Sequence, residues 1–342
     1  MTRDETLLYL SSAAVASACR DLDPVAVVAS ALVVHARGET VLPDESYLAW
    51  EAEPGSSARS IGMAAHLGGA EPAAGVKVIN ANPANVARGL PRASGLTLLF
   101  DPDTARPLCV MEGARLSALR TAAVTALSIE LLAKRRVERL AVIGAGALAE
   151  AHLDLLVPRL RDLRELRLHD LAPERAEDLR ARHGAEMPEV RIELTSSPEE
   201  AIRGADVVVP VTTAEVGYIR FAWLAPGALL VNVSLDDVLP EVVLRVDKLF
   251  VDDWRLVSTD RRRLLGKMAR AGLVAGPDSS GTRSRRVDGE LGELLVGTKE
   301  RRSSDSETVL VNPFGLAVAD VAMAAEVYRV ARRQALGLEL DR

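Results

Sequence analysis

The stretch ERLAVIGAGALAEAH, residues 138–152, runs from apolar residues into Gly144, Gly146 and Ala149, then into an Ala/Leu pattern of helical spacing. Those residue types at that spacing suit a strand–turn–helix loop that holds a dinucleotide. Gly144 would make the tight turn and Gly146 would let backbone approach a pyrophosphate. Ala149 would let helix and strand pack closely, and Ala147 lies in the same loop. The helix N-terminus would face the phosphates. The next strand-like segment, LRELRLHD, ends at Asp170, 24 positions beyond Gly146. A carboxylate there can accept both ribose hydroxyls and repels a 2′-phosphate, so NAD is the expected cofactor. Arg167 and Arg175 nearby are what keeps NADP in view. Thr212 and Thr213 follow ADVVVPV, and Ser234 closes ALLVNVS. Hydroxyls at such strand ends lie near a cofactor crevice, or they cap a helix.

Two cations could hold the other reactant. Lys77 sits in GVKVIN among apolar neighbours, and Arg120 in the first turns of the alanine-rich LSALRTAAVTALSIELLAK, 116–134. A charge in either place is costly unless paired or used. Presented together they suit a substrate carboxylate, with Arg as a bidentate fork. An internal salt bridge for each is the alternative.

These residues need two kinds of scaffold. From 40 to 110, short apolar segments such as VKVIN, LTLLF and PLCVMEG are separated by Gly, Pro and Asn, which reads as strands and turns, with Asp101-Pro102-Asp103 as a hairpin turn. From 140 to 253 strand and helix patterns alternate, which implies a doubly wound parallel sheet covered on both faces. Residues 5–34 read as a helix, a break at Asp23-Pro24 and a second helical or strand-like stretch. Residues 279–306 read as a solvated connection with a short helix, and 315–336 as a helix. The expected fold is α/β. A Rossmann-type domain over 121–308 is joined to a β-rich α+β substrate-binding domain made of 1–120 and 309–342.

Composition narrows the function classes. Apolar residues are 48%, charged residues 26% and aromatics 3%, with a formal charge of −6. That is globular, poor in base-stacking platforms and without a long basic run, so no nucleic-acid partner is expected. No run of about 18 apolar residues suggests a membrane span. Asp4 and Glu5 argue against a signal peptide. Cys19 and Cys109 form no disulfide framework, which suits the cytoplasm. No His, Cys and Asp cluster has metal-ligand spacing, so no metal is expected.

Lys77, NPAN (82–85), SALRTAA (117–123), GAGALA (144–149) and FGLAVADVAMA (314–324) together resemble the ornithine cyclodeaminase/mu-crystallin family, in order and spacing and over most of the chain. RGLPRAS (88–94), SLDD (234–237), VDDW (251–254), ELGELL (290–295) and NPFG (312–315) resemble most its branch that forms 2,3-diaminopropionate for siderophores and peptide antibiotics. The resemblance implies a homodimer pairing through the front-domain sheets. It implies NAD-dependent oxidation of an amino acid at Cα. In that branch N-(2-amino-2-carboxyethyl)-L-glutamate is oxidised and hydrolysed to 2-oxoglutarate and L-2,3-diaminopropionate. The alternatives within the family are ornithine cyclodeaminase, giving proline and ammonia, and a mu-crystallin-like ketimine reductase or ligand-binding protein.

By the same resemblance Lys77 and Arg120 clamp the α-carboxylate. Asp237, five residues past Asn232, takes the place of the catalytic acid/base, with the adjacent Asp236 leaving the register open. The pair could instead cap a helix before VLPEVV. Arg59 in ARSIGMAAHLGG and Arg92 in LPRAS are candidates for further carboxylates, whereas His66 reads as structural. One departure stands out. Ornithine cyclodeaminases approach the aspartate through glycines, and this chain has Val233-Ser234-Leu235-Asp236.

Overall fold

The computed structural model describes residues 6–53, 55–185, 187–280 and 284–341, so Asp4 and Glu5 lie outside the described residues. The chain divides into two compact units, Met1–Arg120 with Leu316–Arg342, and Thr121–Gly315.

The first unit opens with strand β1 (Thr6–Leu10), where a single helix was expected; its alternation buries Leu8 and Leu10. Ser11 then caps helix α1 (Ser12–Cys19), accepting from Ala14 N at 3.3 Å. Asp23 caps α2 (Pro24–Ala36), with Pro24 in its first turn, so the expected break is a helix start. Strands β2 (Thr40–Val41), β3 (Ser46–Glu53), β4 (Ser56–Leu67), β5 (Ala73–Ala81), β6 (Ala93–Phe100) and β7 (Pro107–Glu112) follow. Asp101 fixes the β6–β7 turn by accepting from the N–H groups of Asp103 and Thr104. A tail helix (Ala317–Gln334) and a tail strand (Leu338–Asp341) complete the unit. The sheet order is tail strand, β1, β7, β6, β5, β4, β2, with β3 also on β4. All these pairings are antiparallel except β1 with β7. The tail helix packs on α2 and across β4–β6. A Cβ at Gly75 would lie 2.6 Å from Leu98 O and 3.4 Å from a Val321 methyl, so glycine is what lets helix and sheet close there.

The units divide within helix α3 (Ala114–Leu132). The second unit then alternates β8 (Arg139–Ile143), α4 (Ala147–Leu156), β9 (Glu165–His169), α5 (Pro173–Gly184), β10 (Arg191–Leu194), α6 (Pro198–Ile202), β11 (Val207–Pro210) and β12 (Leu229–Val231). Next come α7 (Pro240–Arg245), β13 (Lys248–Val251), α8 (Trp254–Thr259), α9 (Leu264–Arg270), β14 (Val274–Ala275), β15 (Arg285–Arg286), β16 (Gly289–Glu290), α10 (Leu291–Val296) and β17 (Val309–Asn312). The order β10-β9-β8-β11-β12-β17-β13-β16 is parallel throughout. The chain winds outward from β8 and then restarts at β11, which makes a switch point at the C-terminal ends of those two strands. Every residue of β11, β12 and β17 is buried, as a sheet covered on both faces demands. β17 belongs to this sheet, so the expected boundary at 309 moves to 315: an apolar strand between two central neighbours is buried more completely here than at the edge of an antiparallel sheet. Among the described residues no helix is long and apolar enough to cross a membrane.

Candidate active site

The glycine loop leaves β8 at the switch point. Gly144 has φ 97°, and a Cβ there would lie 2.8 Å from Val211 O, so only glycine fits between β8 and the end of β11. A Cβ at Gly146 would meet nothing within 4 Å, so space lies open beside this backbone. No side chain caps α4 at Gly146, which leaves its first N–H groups for an anion. Ala149 is fully buried, and Ala147 is the first residue of α4. Asp170, just past β9, accepts from Ala145 N on Oδ2 at 2.7 Å and from Ala172 N on Oδ1 at 2.8 Å. It thereby ties the loop to the start of α5, and each oxygen keeps a lone pair for a ribose hydroxyl. Arg167 is occupied with Glu165 and with the carbonyls of Glu200 and Arg203. These features fit a dinucleotide without a 2′-phosphate.

Past β11 and β12 the chain builds a carboxylate centre. Gly217 is required by close approach: a Cβ would lie 2.3 Å from Val238 O. That approach lets Tyr218 N and Ile219 N both donate to Asp237 O, at 2.8 and 2.9 Å, and brings the Tyr218 ring beside Asp237. Asp237 Oδ1 accepts from Thr212 Oγ1 at 2.5 Å and Tyr218 OH at 2.9 Å. Oδ2 is buried with no partner among the described residues. Burial pushes this carboxyl above the usual carboxylate range, against the pull of the hydroxyl donors. Asp236 faces elsewhere, accepting from Arg263 Nη1 at 2.7 Å and Leu264 N at 2.9 Å where α9 begins. Neither aspartate caps the helix at VLPEVV, whose N-cap is Leu239 without a side-chain bond. Leu235, ahead of both, has φ 76°, a left-handed conformation that glycine adopts without strain. Ser234 Oγ accepts from Thr212 N at 2.7 Å and donates to Pro210 O at 2.9 Å, pinning the two strand ends together. Thr213 is exposed.

In the first unit, register places Met63, Lys77, Thr97 and Met111 side by side on one sheet face. Lys77 is 2% exposed and donates to Asp320 Oδ2 at 2.9 Å and Ser117 Oγ at 3.4 Å. Arg120 Nε donates to Asp320 Oδ1 at 2.8 Å. Asp320 lies in the first turn of the tail helix, where the helix dipole favours an anion. The salt-bridge alternative is what the structure shows: one carboxylate orients two cations and leaves a net positive charge. Burial and the neighbouring Arg120 lower the Lys77 ammonium to about 8, despite Asp320.

Arg59 pairs with Ala81, and Ala81 with Ala93, two pairs along the same face from Lys77. Arg92 precedes Ala93. Burial and the nearby Arg59 charge lower the Arg92 guanidinium. Among the described residues neither arginine has a carboxylate partner. His66, opposite Ala74, points to the other face.

Fold and site define a dinucleotide-dependent oxidoreductase. The family model for the ornithine cyclodeaminase/mu-crystallin family matches residues 10–335. N-((2S)-2-amino-2-carboxyethyl)-L-glutamate dehydrogenase of Staphylococcus aureus is 32% identical over 344 residues, covering 98% of both chains. The crystal structure of CmnK aligns with TM-score 0.90 and 39% identity over 98% of both chains. An archaeal alanine dehydrogenase dimer with bound NAD aligns with TM-score 0.82 and 26% identity, over 98% of this chain and 99% of that one. The chain belongs to the ornithine cyclodeaminase/mu-crystallin family.

Proposed function

We propose that this enzyme oxidises N-(2-amino-2-carboxyethyl)-L-glutamate at the glutamyl Cα and hydrolyses the imine to 2-oxoglutarate and L-2,3-diaminopropionate. NAD, held by Gly144, Gly146, Ala147, Ala149, Asp170, Thr212, Thr213 and Ser234, supplies the hydride acceptor. Lys77 and Arg120 bind the α-carboxylate in the orientation that Asp320 gives them. Asp237 takes the amine proton, and the same group later assists water at the imine carbon. A buried carboxylate with one unpartnered oxygen suits both tasks.

The observation that carries the substrate is the Arg59–Arg92 pair. Two guanidiniums near each other, without a carboxylate of the described chain, suit a substrate with carboxylates beyond the one at the reacting carbon. The full-length likeness to the staphylococcal dehydrogenase supports the same reading. A place in siderophore or peptide-antibiotic assembly in the cytoplasm belongs to this reading, as does a homodimer. The archaeal dimer supports the latter, and so do the exposed Tyr47, Leu48 and Trp50 along β3.

The test incubates the purified protein with NAD and N-(2-amino-2-carboxyethyl)-L-glutamate, following NADH absorbance and 2-oxoglutarate, beside a reaction with ornithine analysed for proline. NADH and 2-oxoglutarate in equal amounts, from the first substrate only, is the expected result. Proline from ornithine without net NADH would make the enzyme a cyclodeaminase and refute the substrate reading.

A further inference from the structure

The hydrogen bonds around Asp237 are directional. Thr212 Oγ1 accepts from Ala214 N at 3.0 Å, so its own proton is left for Asp237 Oδ1, at 2.5 Å. The Tyr218 hydroxyl donates to that same oxygen at 2.9 Å. The Thr212 backbone is fixed in turn by Ser234, and the Tyr218 backbone by the carbonyl of Asp237 itself. Two donors from different segments thus converge on one carboxylate oxygen. The other oxygen, also buried, has no hydrogen-bond partner among the described residues.

We propose that Thr212 and Tyr218 are positioning residues that hold Asp237 by Oδ1 and reserve Oδ2 as the oxygen that takes the substrate's amine proton. This rests on the reading of Asp237 as acid/base. In the oxidative step the amine N–H bond breaks and an Oδ2–H bond forms. The electron pair left on nitrogen makes the C=N bond as hydride leaves Cα for the bound NAD. The proton on Oδ2 is available to the amine that departs when water opens the imine. Throughout, Oδ1 keeps both donors, so the carboxylate cannot rotate its reactive oxygen away. The two donors also stabilise the ionised form, the form a base needs, against the cost of burial. Tyr218 acts through Asp237 and stays protonated: burial and the Asp237 charge push its phenol far above the usual tyrosine range.

The test compares pH profiles of kcat/KM for wild type, Thr212→Val, Thr212→Ser, Tyr218→Phe and Asp237→Asn. It uses N-(2-amino-2-carboxyethyl)-L-glutamate, or ornithine should that be the amine turned over, with NAD affinity measured by calorimetry. Losing one donor should lower kcat/KM about tenfold and move the acid limb up by roughly one pH unit, while in Tyr218→Phe, which removes no residue assigned to the cofactor, NAD affinity changes less than about threefold. Thr212→Ser, which keeps the hydroxyl, should return the limb to its wild-type position. An unmoved limb in both Thr212→Val and Tyr218→Phe overturns the proposal, and so does a Thr212→Ser limb displaced like that of Thr212→Val. Turnover by Asp237→Asn would instead overturn the acid/base reading beneath it. An inactive, folded Asp237→Asn beside wild-type profiles in the other variants would sink this proposal alone. Absence of turnover by the wild type with either amine overturns both.

Discussion

Asp236 and Asp237 are neighbours in sequence whose carboxylates turn to different partners, one to Arg263 and the Leu264 N–H, the other to Thr212 and Tyr218. Their substitutions should separate accordingly. Asp237→Asn keeps the shape and removes the base, so kcat should fall about a thousandfold with NAD affinity nearly unchanged. Asp236→Asn should retain far more activity but lose about 1–3 kcal/mol of stability with its charge-assisted bonds. Steady-state kinetics beside thermal unfolding reads both, and a large loss of NAD binding in Asp237→Asn would contradict its assignment.

Asp320 is the counter-charge of two buried cations. Asp320→Asn should cost about 3–5 kcal/mol near neutral pH, because it leaves them uncompensated. The deficit should be pH-dependent. Lys77 titrates at about 8 in the folded protein and near its usual 10.5 when unfolded. Between those values the unfolded chain binds more protons, so the Lys77 contribution to stability rises with pH. In Asp320→Asn the ammonium lacks the charge that raises its pKa and is lost at lower pH than in wild type. The Tm gap between the two should therefore be widest on the acid side and close as pH rises to about 8. A gap that widens with pH would be inconsistent with this cluster.

The same ammonium should shape catalysis. Free enzyme loses the Lys77 charge as pH rises through about 8, so kcat/KM should decline above that value. The limb should be weaker or shifted upward in kcat, since a bound carboxylate holds the proton on. On the acid side the decline should lie above the ordinary aspartate range, because burial raises Asp237.

Arg59 and Arg92 should separate substrates. Replacing either by Ala should raise KM for N-(2-amino-2-carboxyethyl)-L-glutamate by about 10- to 100-fold, the worth of a lost charge-assisted contact. The KM for NAD should stay put. Unchanged substrate KM in both variants would remove these residues from the site.

Under the proposed function Asp170 carries two loads, a cofactor hydroxyl site and the Ala145 N–H. Asp170→Asn can still accept one of the two N–H bonds, from Ala145 or Ala172, on its amide oxygen, so it should weaken NAD binding less than Asp170→Ala does. Both should improve kcat/KM for NADP relative to NAD by relieving charge repulsion. Paired titrations of the two nucleotides check this.

Much of this was legible in the sequence because it is local. The glycine loop, Asp170 and the strand–helix alternation of the second unit are patterns within a few tens of residues. Lys77 and Arg120 were legible as charges in apolar surroundings. Asp320 carries the same signal, a lone carboxylate in an alanine-rich helix, and its pairing could have been anticipated. Tyr218 gives no such signal, since a parallel bridge of Ile219 to Val238 brings it to Asp237. TLLYL was read as helix because it abuts helical sequence; it is a strand because it pairs with the chain's other end, Thr6 with Asp341 and Tyr9 with Leu338. The different partners of Asp236 and Asp237 depend on where α9 begins, which the local sequence does not show.

That last pairing bears on how the chain is made. Thr121–Gly315 is one continuous stretch, so its sheet can assemble while synthesis is still under way. The other unit is split: Asp320 reaches Lys77 and Arg120 only once residue 320 has left the ribosome, and β1 gains its tail-strand partner only once residues 338–341 have. Before the first of these events Lys77 and Arg120 lack Asp320, and the sheet lacks the tail helix across β4–β6. A nascent chain should thus hold a finished nucleotide half beside an open, aggregation-prone front half. Chaperone demand, and damage from premature termination, should concentrate in that interval.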